Sequence, residues 1–319
     1  MRWFGAGLVS WNLLLACAAG TPAPQTAASR PTSQPATQPP KRVAFQPGVS
    51  IDWGRREVVV DARVTLRDGP IEFLACFAGK EHESLVRLTA SGTHIYMALG
   101  LIGLTPGQPP TWDAAAQTYL RPTGDLLELS FEWEQDGRLR TEDAFRWSRE
   151  REYGRVPLSR PWVFAGSRRL DDHTLSCDRS GAGVPVVDFG DALVCLSGVR
   201  SDRSADLWLE ANPDAVPPEG TAVKLVFRPA RPRRYRATID FRGVAFVNGR
   251  YASLPDLAEL LLLARRLEPE RVQLITLKGT LRSDETRIRA VLVRLGVPDG
   301  AVAFSRSKPP TSQRATQSR

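Results

Sequence analysis

Between Ile71 and Gly107 the chain reads IEFLACFAGKEHESLVRLTASGTHIYMALGLIGLTPG, and no other stretch constrains the fold as tightly. From Ile71 to Phe77 the residues Phe73, Leu74, Cys76 and Phe77 leave neither face of a strand polar, so that strand must be central. From His94 to Leu104 the chain is apolar nearly all round, with Ile95, Met97, Leu99, Leu101 and Ile102, which predicts a buried helix of about three turns. Ser91 is placed to cap this helix, and Gly103, Pro106 and Gly107 to end it. A strand and a helix that must both be hidden require a sheet with a helix laid on it. Gly79 opens the loop Lys80-Glu81-His82-Glu83, after which Ser84 to Ala90 reads as a partner strand, and a hairpin is the simplest connection.

The neighbouring sequence extends the sheet. Glu57 to Leu66 alternates, with Val58, Val60, Ala62, Val64 and Leu66 on one face, and Leu127, Leu129, Phe131 and Trp133 alternate with Glu128, Ser130, Glu132 and Glu134 before the turn Asp136-Gly137. Shorter strands are expected at Trp162 to Ala165, Leu175 to Cys177, Val184 to Val187, Ala192 to Leu196 and Val223 to Arg228. Arg228-Pro229-Ala230-Arg231-Pro232 marks a boundary. Beyond it the pattern becomes strand (237–241), a strand with the turn Asn248-Gly249, helix (254–267), strand (272–277), helix (284–295) and strand (301–304). Ser253 with Asp256 and then Ser283 are the expected caps, and Leu257, Leu260, Leu261 and Ala264 the core stripe. The fold class is therefore α+β: a β-rich domain over 43–230 with one buried helix, then a small α/β sandwich over 236–305.

The chain carries 43 Lys and Arg against 35 Asp and Glu, a formal charge of +8. Eight of those cations lie in the acid-free ends, residues 1–42 and 306–319, leaving 35 to face 35 carboxylates in the part that can fold. A neutral body argues against nucleic acid as a partner, because phosphate neutralisation needs clustered excess cation.

Met1 to Gly20 has a cation at Arg2, an apolar run to Ala16 and then small residues, the layout of an export signal. It is short for an ordinary spanning helix. Leu14-Leu15-Ala16-Cys17 is similar to a bacterial lipobox, which makes Cys17 the candidate lipidation site and the membrane a partner through the anchor. Leu15 stands where that motif usually has a smaller residue. The alternative is cleavage near Ala18 or Ala19 and release of a soluble periplasmic protein. Residues 21–42 are a Pro, Thr, Gln and Ala linker with no aromatic residue, unable to build a core, and the basic tail at 306–319 repeats its composition. Localisation on the periplasmic face of a bacterial membrane follows as the expectation, with a further envelope protein as a partner.

Candidate chemistry is sparse. Lys80, His82, Glu83 and Ser84 bring a base, a carboxylate and a hydroxyl onto one loop, and His94 would complete a polar or metal site if the loop folded over the helix start. Ordering of the turn is the plainer reading of the same residues. A Ser84 nucleophile with a His82 base lacks an orienting acid and a Gly-x-Ser-x-Gly elbow. Asp171-Asp172-His173 reads as a solvated loop. Of the cysteines after Cys17, Cys177 and Cys195 could pair across neighbouring strands while Cys76 joins the core; three buried free thiols are the alternative. No catalytic residue and no metal set is assigned, and the reading favours a protein that is not an enzyme.

Gly79-Lys80-Glu81-His82-Glu83-Ser84-Leu85, the helix end with Gly103 and Gly107, Phe164-Ala165-Gly166-Ser167 and Asp188-Phe189-Gly190-Asp191 resemble the YdjY-like domain of exported bacterial proteins, over roughly 43–230. That resemblance implies an envelope protein and no particular reaction. Some members carry a ferredoxin-type iron–sulfur label, from which this chain departs. A cluster needs four cysteines, several of them closely spaced, and Cys76, Cys177 and Cys195 are far apart, so no cofactor is expected. Residues 236–304, with the Val247-Asn248-Gly249 hairpin, a Leu-led helix, a strand, a helix and a last strand, resemble the periplasmic domain of ExbD/TolR-type transport proteins. Those proteins carry a spanning helix directly before the domain. This chain does not, so the resemblance implies a small interaction fold without energy coupling. The functional expectation is a lipid-anchored envelope protein in a binding or scaffolding role, the alternative being a metal- or redox-linked enzyme accessory using the His82 loop.

Overall fold

The computed structural model describes residues 41–115, 117–198, 200, 207–231, 237–240, 242–267, 274–276, 282–302 and 304–306. The expected export signal, lipobox and linker up to Pro40, and the tail beyond Arg306, lie outside the described residues. The architecture is α+β, as the patterning requires.

The first half of the chain forms β1 (Arg42–Gln46), β2 (Val49–Asp52), β3 (Glu57–Val64), β4 (Phe73–Cys76), β5 (Ser84–Leu88), α1 (Gly92–Leu101), β6 (Thr111–Asp113), β7 (Thr118–Leu120), β8 (Leu126–Gln135) and β9 (Arg138–Asp143). Then come β10 (Ser148–Glu150), β11 (Trp162–Phe164), α2 (Ser176–Ser180), β12 (Val184–Pro185), β13 (Val194–Leu196), β14 (Leu209–Ala211) and β15 (Ala222–Pro229). The main sheet runs β12-β4-β5-β3-β15-β8-β11-β13. Its two ends approach each other, with the Leu193 and Val194 amides donating to the Ala182 and Gly183 carbonyls at 3.2 and 3.1 Å. The sheet thereby nearly closes into a barrel and leaves few open edges. Aromatic side chains fill one end of the core: Phe131 stacks on Trp147 at 4.0 Å, Trp133 meets Trp147 edge-on at 5.3 Å, and Phe145 stacks on Trp162 at 5.1 Å.

Several local expectations are corrected. β4 and β5 are not a hairpin: they pair in parallel, Phe73 opposite Ser84 and Ala75 opposite Val86. After β4 the Phe77 amide donates to the Gly181 carbonyl, and the Glu72 amide receives Glu83 as its acceptor at 3.0 Å, so residues 77–83 carry the chain back to the start of its own strand. The four residues of β4 span only about 13 Å, a distance that residues 77–83 can cover. Leu175 to Cys177 is not a strand but the start of α2, begun by the Leu175 amide donating to Asp178 at 3.4 Å and closed by Gly181 in the left-handed region. The helix α1 is buried on only one side; Ile95, Ala98 and Leu99 meet the sheet, while Met97 and Leu101 stay 48% and 51% exposed because nothing described lies over them. β8 is not one-sided either. Glu128 and Glu132 are buried with their apolar neighbours, paired to Arg228 at 2.9 Å and Arg42 at 2.6 Å.

The C-terminal part forms β16 (Ala237–Ile239), β17 (Ala245–Val247), β18 (Arg250–Tyr251), α3 (Leu254–Leu267), β19 (Leu274–Thr276), α4 (Arg282–Arg294) and β20 (Phe304–Arg306). Its sheet runs β18-β17-β16-β19-β20, with β16, β19 and β20 parallel. The Asp256 amide donates to the Ser253 hydroxyl at 3.2 Å, so Ser253 caps α3. Ser283 lies inside α4 rather than before it, since the helix already begins at Arg282. Leu257, Leu260 and Leu261 face the small sheet. Leu263 instead joins Leu126 and Val163 of the first part.

Candidate functional site

In the His82 loop each polar group is engaged locally. Lys80 Nζ is 2.7 Å from Glu83 Oε1, and that hydrogen bond holds the ammonium pKa up. Glu81 accepts from the Gly79 amide at 2.8 Å and lies 3.3 Å from Arg87. The His82 imidazole stands in solvent, 76% exposed and 3.7 Å from Glu83. Ser84 is buried at the start of β5, its hydroxyl donating to the Val86 carbonyl at 2.8 Å. Imidazole and hydroxyl thus occupy opposite environments.

His94 sits in the first turn of α1 and lines a cleft of about 420 Å³ with His173, Thr93, Arg87 and Asp178, a set that does not include His82. Asp178 is fully used: its carboxylate accepts from the Gly92 amide at 2.5 Å, the Thr93 amide at 3.2 Å and the Thr93 hydroxyl at 2.7 Å. The α1 N-terminus is therefore neutralised from within the protein and is not an open anion site. Among the described residues no group of three or more His, Cys, Asp or Glu side chains is disposed to hold a metal ion.

Cys76, Cys177 and Cys195 are all free and buried, so the Cys177–Cys195 bridge is absent. Cys177 packs in the main core, where a Cβ on Gly92 would meet its sulfur at 2.6 Å. Cys195 belongs instead with Cys76 to a small cluster around Phe73. Burial pushes the Cys76 thiol up to about 11 and the Cys177 thiol up to about 12, and raises Cys195 well above the usual range. Protonated, enclosed thiols are poor nucleophiles.

A second place gathers stretches that are distant in sequence. After β11, the Gly166 and Ser167 amides donate to Leu193 and Ala192 at 2.9 and 3.0 Å. Ser167 is held at φ +60°, its hydroxyl donating to the Asp191 carbonyl at 2.5 Å and accepting from the Cys177 amide at 3.1 Å. Arg168 Nε donates to the Gly190 carbonyl at 2.7 Å. Gly107 donates to the Phe164 carbonyl at 3.0 Å, and any Cβ there would lie 2.1 Å from Thr123 backbone, which only glycine avoids. The Phe-Ala-Gly-Ser, Asp-Phe-Gly-Asp and Gly107 stretches thus share one wall. Opposite stands the β6–β7 hairpin, with Trp112 edge-on to Tyr119 at 5.2 Å. Between them lies a cleft of about 770 Å³.

The two halves of the chain meet through charge. Arg160, fully enclosed, is 2.7 Å from Glu259 and 3.1 Å from Asp256; Arg200 is 2.8 and 3.1 Å from the same carboxylates. The Ser197 hydroxyl donates to Glu259 at 2.8 Å. Burial alone would raise the Glu259 carboxyl, but the guanidinium groups of Arg160 and Arg200 outweigh it and hold the carboxyl down to about 2. Beside this cluster a cleft of about 720 Å³ is lined by Tyr153, Arg200, Trp208 and Ser253.

Sequence reasoning missed Trp112, Tyr119, Arg168 and Arg169, although Trp112 and Tyr119 sit symmetrically about a short loop. It also missed Arg160 and Glu259, for which no local signal exists.

A near-closed sheet carrying one helix, with a glycine-ordered cleft at its rim, defines a β-rich α+β body. Residues 49–228 match the YdjY domain, more than half of the chain, and the chain belongs to that family. Comparison with curated proteins and with solved structures found no match.

Proposed function

We propose that this chain is an exported protein, anchored by lipid on Cys17, whose folded part binds an envelope component without transforming it. The carrying observation is the fate of the reactive groups: the Lys80 ammonium, the Ser84 hydroxyl, the Asp178 carboxylate and the three thiols are consumed by pairing, capping or burial. The order of the N-terminal sequence, with Arg2, an apolar run, Leu14-Leu15-Ala16-Cys17 and then a proline-rich spacer, supports the anchor. Acyl chains at about 0.8 kcal/mol per buried methylene would retain such a protein firmly.

Mass spectrometry of the mature N-terminus tests the anchor, with an acylated Cys17 expected; an unmodified residue other than Cys17 would remove it. Hydrolytic turnover by the purified protein, lost in His82→Ala, would overturn the non-catalytic reading. Stoichiometric metal in protein purified without chelator, again lost in His82→Ala, would replace it with a metal-linked accessory.

A further inference from the structure

A cleft lies between the β6–β7 hairpin and the Ser167–Arg169 segment. Its aromatic wall is Trp112, 50% exposed, with Tyr119 against its edge. Its cationic wall is Arg168 and Arg169, and among the described residues no carboxylate lines the space.

We propose that this cleft binds an acidic saccharide, meaning a sugar that carries carboxylate or phosphate groups. The proposal deepens the binding role above and rests on it. An indole face offers a flat apolar platform for one side of a sugar ring, and paired guanidinium groups match planar or tetrahedral oxyanions. Arg168 is oriented in advance, because its Nε is fixed on the Gly190 carbonyl at 2.7 Å. The segment is held in place: Ser167 at φ +60° keeps a backbone conformation sustained by its hydrogen bonds to Asp191 and Cys177. Preorganisation of this kind lowers the cost of ordering a site on binding. At about 770 Å³ the cleft has the size of small-ligand sites. Nucleic acid is disfavoured by the neutral body.

Calorimetric titration of the mature protein with trigalacturonate, glucose 1,6-bisphosphate and neutral maltotriose tests this. At least one acidic sugar is expected to bind, at least about tenfold more tightly than maltotriose, and to weaken as salt rises. Which acid wins identifies carboxylate or phosphate as the group recognised. Trp112→Ala and Arg169→Gln should each weaken binding about tenfold while thermal unfolding stays unchanged, because both side chains are exposed. Equal affinity for maltotriose, indifference to both substitutions, or no heat with either acidic sugar would overturn the site. Chromatography of the titrated sugar keeps the two readings apart. Cleaved product would end the non-catalytic reading but leave the cleft standing, whereas absent binding would end the cleft and leave the anchored binding protein intact.

Discussion

Arg160 has no exposed side-chain surface, and its charge survives burial only because Glu259 and Asp256 face it. Removing one partner of such a group leaves the other charged and enclosed, which typically costs 3–5 kcal/mol. Arg160→Met is expected at the lower end of that range, roughly 3 kcal/mol in urea unfolding, because Arg200 still reaches Glu259. The pH dependence follows from the same pair. Glu259 titrates at about 2 when folded, whereas a glutamate in an unfolded chain titrates at about 4.3. The unfolded chain therefore binds the proton first, so this stabilisation is complete above about pH 4.3 and drains away as pH falls towards 2. A melting series through that window should slope downward in acid, and the slope should flatten in Glu259→Gln. Glu57 behaves oppositely: burial, the largest influence, raises its carboxyl pKa, and its Oε2 has no hydrogen-bond partner. Glu57→Gln should cost less than about 1 kcal/mol at neutral pH by the same melting measurement.

Among the elements, α1 depends most on a remote residue. Asp178 supplies the bonds to the Gly92 and Thr93 amides that the helix cannot make itself. Asp178→Ala is expected to lose about 2 kcal/mol, the upper end of a cap's contribution, with the loss read by thermal unfolding. Gly124→Ala should be worse. A Cβ there would sit 2.0 Å from the Phe164 carbonyl oxygen, so the crossing of β11 with the 105–108 segment could not form. Loss of cooperative melting is the outcome to look for. The elements differ in how legible they were. α3 was readable from residue 254 to 267 because its apolar spacing and Ser253 cap agree, and β8 with its Asp136-Gly137 turn was equally plain. The short strands β10 and β14 hold three residues each, too few for any period to show. The parallel return of β4 to β5 depends on a bond from Phe77 to Gly181, a hundred residues away in effect, and no loop sequence announces it. The cleft was half legible. Its glycine-bearing stretches were noticeable, but Trp112 and Arg169 acquire meaning only when the chain brings them face to face.

At the scale of the molecule, the described residues from 41 to 306 belong to a single compact unit. Its two parts are joined by a buried ionic cluster and by small apolar contacts, Leu263 with Leu126 and Val163, and Leu158 with the core of the second part. Reversing one charge should therefore loosen the joint without melting either core. In Glu259→Lys, hydrogen exchange is expected to quicken around 158–160, 197–200 and 253–263 and to stay slow in β3 and β15. Uniform exchange throughout would show instead that neither part holds without the other.

The place of β15 in the sheet has a consequence for timing. It is inserted between β3 and β8, so that residues 222–229 complete a ladder begun at residue 57. Contacts of such sequence separation must be closed against chain entropy before they return any energy, which places folding on the slow, millisecond-to-second side of small domains. Until residue 229 emerges, β3 and β8 have no common neighbour, and the two halves of the sheet are joined at its other end, where Leu193 and Val194 donate to Ala182 and Gly183. Completion of that ladder therefore waits until residues 222–229 have been made. The sheet order thus acts as a clock, set by where along the chain its middle strand was placed.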